Sequence, residues 1–73
     1  MSIEKRLKEI SDELQTLRRA EEACQYAMHH IQEVEQFLPA YIHMSHHAEM
    51  EINEVHDEIV DRIIELETKI GEI

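Results

Sequence analysis

Phe37-Leu38-Pro39-Ala40 decides how this 73-residue chain folds. Pro39 is the only proline. It has no N–H to donate and its ring clashes with the preceding turn, so it is not accommodated inside a helix. It also holds Leu38 out of the helical region, while its own fixed φ suits the first turn of a new helix. Apolar residues recur with helical spacing on both sides of it. The stretch is therefore expected to be the turn of an antiparallel two-helix hairpin. The alternative is one long helix kinked at Pro39.

Register favours the hairpin. A turn centred on Leu38 puts residues whose numbers sum to 76 at one level. Ile3 then faces Ile73, Ile10 faces Leu66, Leu17 faces Ile59, Cys24 faces Ile52 and Met28 faces Ala48, while Leu7 and Leu14 fall one residue off, near Ile70 and Ile63. An arbitrary fold-back point would not align so many apolar layers. The chain is read as a single all-α domain over 1–73, coiled-coil-like, with helix 1 over about 2–37 and helix 2 over about 40–71.

In helix 1, Ser2 is placed to cap the N-terminus and Glu4 to complement the helix dipole. Ile3, Leu7, Ile10, Leu14, Leu17, Cys24, Met28, Ile31 and Leu38 follow steps of four and three, the a and d positions of a heptad. Glu21 and Glu35 interrupt that seam, and a buried carboxylate is costly unless paired. Glu21 is expected to tilt to the rim; the alternative is that it meets a basic group and fixes register. Ala20, Ala23 and Ala27 flank the seam, as good helix formers whose small size also permits close approach.

Helix 2 is expected to begin at Pro39 or Ala40, with Ser45 as a later alternative N-cap. Its seam is expected to run through Tyr41, Met44, Ala48, Ile52, Val55 and Ile59. Beyond that, Val60, Ile63, Ile64, Leu66, Ile70 and Ile73 make a face too broad for one partner helix. Lys69 and Gly71 mark the expected end. Each helix would be on the order of 50 Å long at about 1.5 Å per residue.

Size and charge bear on function. A chain this short has little core, and its single cysteine rules out an intrachain disulfide, so self-association is the expected route to stability. Leu7, Ile10, Leu14, Leu17, Ile52, Ile59, Ile63 and Leu66 are expected to carry it. Net charge is −10, which argues against direct contact with nucleic acid or an anionic membrane. No apolar run approaches a membrane span, and the start, Met1-Ser2-Ile3-Glu4-Lys5, has no apolar signal region. Cys24 on the seam reads as a small core residue, and the chain as cytoplasmic.

The charges are segregated. Five of the seven Lys/Arg lie at or before Arg19; from Ala20 to Asp61 there are none, against ten acids and all six histidines. The hairpin thus has a mixed-charge open end and an acidic closed end. Two hairpins packed antiparallel would set each acidic tip near the other's Lys5, Arg6, Lys8, Arg18 and Arg19. An antiparallel dimer, a four-helix bundle, is the expected assembly.

No catalytic constellation is present: there is no Gly-rich phosphate loop, Ser11 and Ser45 have no base at a diagnostic spacing, and a thin hairpin offers little concavity. The protein is not expected to be an enzyme or to carry a cofactor. His43 and His47, four apart, are the candidate metal pair, although His29, His30, His46 and His47 fall at outer positions facing away from the seam. Protonation of all six histidines would take the formal charge from −10 to −4.

The expected function is non-catalytic protein–protein interaction, as an adaptor, assembly factor or inhibitor. Phe37, Tyr41, Ile42 and Met44 form the expected contact patch, with Glu33, Glu49 and Glu51 around it, suited to a basic partner. The alternatives are an acidic mimic of nucleic acid that blocks a basic nucleic-acid-binding protein, and a His-rich metal-binding or pH-responsive bundle.

Overall fold

The computed structural model describes residues 2–72. Two long α-helices, α1 (Ile3–Phe37) and α2 (Ile42–Glu72), fold back on each other about a short 3-10 turn at Pro39–Tyr41. The result is an all-helical antiparallel hairpin measuring 56 × 15 × 14 Å. Its radius of gyration is 16.8 Å, against about 11 Å for a compact domain of this length. The molecule is a rod, and most of its residues reach the surface. No described helix is long and apolar enough to cross a membrane. The expected opposition of Ile3 with Ile73 lies outside the described residues.

The turn needs no glycine: no described residue has a positive φ. Leu38, at φ −130° and ψ 69°, is held out of the helical region by the proline that follows, and its N–H closes α1 by donating to the Val34 carbonyl at 2.8 Å. Its carbonyl then accepts from the Tyr41 N–H at 3.0 Å. That bond spans three residues, so the first turn after Pro39 is wound as 3-10, and α2 proper starts at Ile42. Ser45 lies inside α2 and is not its cap. At the far end Lys69 occupies the last turn, but Gly71 is helical and α2 runs on to Glu72.

Ser2 caps α1 as expected, its hydroxyl accepting from the Lys5 N–H at 3.2 Å. Ser2→Ala is expected to cost about 1 kcal/mol of local helix stability. Amide exchange should quicken over residues 3–6 and stay unchanged beyond Leu14.

Leu14, Ile63 and Leu66 are the buried core, with Ile10, Leu17 and Ile59 packed against them. Together with half-buried Leu7 and Ile52, these eight residues are the ones expected to carry self-association. They form the seam between the two helices of a single chain. Ion pairs brace its edges: Glu13 with Arg62 at 3.0 Å on one side, Arg18 with Glu67 at 3.1 Å on the other. Hydrogen bonds to Glu13 first and to Glu65 second push the Arg62 guanidinium above its ordinary pKa. The Arg18–Glu67 pair is well exposed and contributes less than about 1 kcal/mol.

Candidate functional site

The closed half of the hairpin has a seam unlike that of the open half. In α1 the heptad read from sequence continues: Cys24 is buried, and Met28 and Ile31 are half-buried. Glu21 and Glu35 are half-buried on the same stripe. Glu21 therefore does not tilt to the rim. Its carboxylate lies 3.6 Å from Nε2 of His56, with the side chains 32% and 25% exposed. The alternative, in which Glu21 meets a basic group across the seam, is the observed one.

In α2 the seam is one position away from expectation. Ser45 is buried; Glu49, Ile52, His56 and Ile59 are half-buried; Ile63 and Leu66 are buried. Tyr41, Met44 and Val55, expected inside, are 56%, 72% and 47% exposed. The cause lies at the open end. Ile59, Ile63 and Leu66 are the apolar layers with the most to bury, and they set the phase of a rigid helix. Counting back by sevens from Ile63 and Leu66 gives His56 and Glu49, and Ile59, Ile52 and Ser45. Polar side chains thus enter the seam, and the neighbouring apolar ones are turned to its flank.

Two consequences follow at the closed end. The first is an apolar groove of about 290 Å³ that crosses both helices, lined by Ile31, Val34, Tyr41, Met44 and Ser45. Around the tip stand Phe37, Leu38 and Ile42, each between 48% and 76% exposed. Ala20, Ala27 and Ala48, half-buried, share the groove's flank by heptad position. A larger depression beside α1 is lined by Ser11, Leu14, Gln15, Arg18, Arg19 and Glu22, and it belongs to a single helix with mixed charge. Of the acids expected around the patch, Glu33 pairs with His29 at 3.1 Å and Glu51 with His47 at 3.2 Å. Glu49 is instead turned inward, its side chain 19% exposed.

The second consequence is a polar junction between the helices. Glu49 accepts from the Gln32 amide at 3.3 Å, and the Ser45 hydroxyl lies 3.3 Å from Oε1 of Glu35. That hydroxyl also has the Tyr41 and Ile42 carbonyls within reach, at 3.2 and 3.1 Å, and donates to one acceptor at a time. Among the described residues, Glu35, His46 and Glu49 are the group of three whose metal-capable atoms lie within 4.8 Å of one another. The expected pair, His43 and His47, is not part of it. Sequence reasoning locates Glu35 on the α1 seam but leaves His46 at an outer position, because it runs the α2 seam through Met44. The heptad counted back from Ile63 and Leu66 instead puts Glu49 and Ser45 in the seam, with His46 beside them.

Comparison with protein-family models, with curated proteins and with solved structures returned no match. The functional reading rests on the chain's own geometry.

Proposed function

We propose that this protein works without catalysis, by binding another protein through the closed end of the hairpin while associating with a second copy of itself. The observation that carries the reading is the apolar groove between Val34, Tyr41 and Met44, ringed by exposed Phe37 and Ile42 on an acidic surface. Aromatic and Met side chains are typical interface anchors. An amphipathic helix laid in such a groove would bury them. From Ala20 to Asp61 the chain has no Lys or Arg, so the partner segment it suits carries apolar anchors edged with basic residues. An adaptor, assembly factor or inhibitor would act this way.

Self-association is the companion proposal. The monomer buries few side chains, and Ile64 and Met50 lie exposed on α2 at 56% and 53%. Charge favours an antiparallel arrangement, the acidic closed end of one hairpin beside the cationic open end of the other. Native mass spectrometry and sedimentation should give two chains per particle. Binding should be tested with a synthetic amphipathic helix bearing Leu anchors and Lys edges, and with any partner captured by the wild-type chain. Tyr41→Ala with Met44→Ala is expected to weaken binding at least about 30-fold, the scale of a hot-spot loss, and to leave the particle mass unchanged. Full binding by that double variant, abolished instead by moderate salt, would move the reading to the acidic mimic of nucleic acid.

A further inference from the structure

We propose that Glu35, His46 and Glu49 form a binding site for one divalent transition-metal ion, zinc by preference, that clips α1 to α2 beneath the turn. The site does not depend on the partner-binding reading. It draws ligands from both helices, one carboxylate from α1 and an imidazole and a carboxylate from α2, with their ligand atoms within 4.8 Å of one another.

Each residue is there for a physical reason. Glu35 and Glu49 occupy seam positions of the two heptads, so helix packing itself presents them to each other across the hairpin. The Glu49 side chain is 19% exposed. The charge pattern leaves this junction without a fixed cation. Arg18, Arg19 and Arg62 pair or lie in the open half, and the sequence from Ala20 to Asp61 has no Lys or Arg. Two facing carboxylates repel at this range. His46, with Nδ1 3.9 Å from Glu49 Oε2, brings the one imidazole of the cluster within reach of the same point. A divalent ion supplies the missing positive charge.

The donor set selects the ion. Two carboxylates and one imidazole are mixed hard and borderline ligands, which suit zinc and other first-row divalent metals better than calcium or magnesium, which favour all-oxygen cages. Zinc held at about 2.0–2.2 Å puts neighbouring ligand atoms about 3.3 Å apart. The three groups therefore close by roughly 1 Å or more on binding, within the swing of two Glu side chains on fixed backbones. Gln32 donates to Glu49 at 3.3 Å, an outer contact of the kind that orients a ligating carboxylate, and the Ser45 hydroxyl lies 3.3 Å from Glu35. Three protein ligands leave a fourth position for water or for a partner's side chain. Ser45 also lines the apolar groove, so the ion and the groove share one wall.

The test uses the untagged full chain, stripped with chelator and titrated with zinc chloride at pH 7.5, read by calorimetry and native mass spectrometry. One ion per chain is expected. Glu35→Gln and His46→Ala should each weaken binding at least tenfold, with helicity by circular dichroism unchanged. The double variant His43→Ala with His47→Ala should bind as the wild type does. Cobalt substitution should give the visible absorption of a low-symmetry nitrogen–oxygen site, lost in Glu35→Gln. The proposal is overturned if the stripped chain takes up no zinc, if uptake is indifferent to Glu35→Gln, or if it disappears only when His43 and His47 are removed.

Discussion

Leu66→Ala is expected to unfold most of the hairpin. Leu66 is 2% exposed and clusters with buried Leu14 and Ile63. Removing a buried leucine costs about 2–5 kcal/mol, through lost transfer free energy and the cavity left behind. Domains of ordinary size have about 5–15 kcal/mol in total, and a rod with three buried aliphatic side chains among its described residues lies at the low end. Thermal and urea unfolding followed by circular dichroism should show the midpoint fall steeply. Ile64→Ala is the matched control, a residue two positions away and 56% exposed, expected to change stability by less than about 0.5 kcal/mol. A large cost at Ile64 that grows with protein concentration would place that side chain in a contact between copies. A negligible cost at Leu66 would contradict the packing described.

Replacing Glu21 and His56 together with leucine is expected to stabilise the protein by about 1–2 kcal/mol. Polar pairs in a helix seam are often weaker than the apolar packing that could replace them, by about 1–4 kcal/mol for fully buried cases. The lower part of that range applies because these side chains are 32% and 25% exposed and solvent screens the pair. His56→Leu alone should act in the opposite sense, leaving the Glu21 carboxylate against an apolar neighbour with no counter-group. Urea denaturation of the wild type, both single variants and the double variant closes the cycle. A double variant less stable than the wild type would show that the pair contributes more than packing would.

The same pair shows why the two helices differed in how far they could be read. In α1, apolar residues mark nearly every seam position from Leu7 to Ile31, so the phase was legible and Glu21 and Glu35 could be located on it. In α2, two stripes compete over residues 41–59. One is the apolar run Tyr41, Met44, Ala48, Val55. The other is polar, Ser45, Glu49, His56, and shares Ile52 and Ile59 with the neighbouring apolar set. Local hydrophobicity favours the first stripe. The structure takes the second, because Ile59, Ile63 and Leu66 are stronger layers and a helix cannot change phase partway along without a break. The groove and the Glu35–His46–Glu49 junction both arise from that choice.

By itself, the sequence determined the all-helical class, the fold-back at Pro39, the capping of α1 by Ser2, the α1 seam and the segregation of charge. Each of these depends on local chemistry: a missing N–H, a hydroxyl at a helix start, a repeat of seven, the order of acids and bases. Only the tertiary structure decided which face of α2 turns inward, and so which polar groups meet across the hairpin. That outcome is a competition between distant layers on one rigid helix, and the open-end core wins it because it removes the most apolar surface from water.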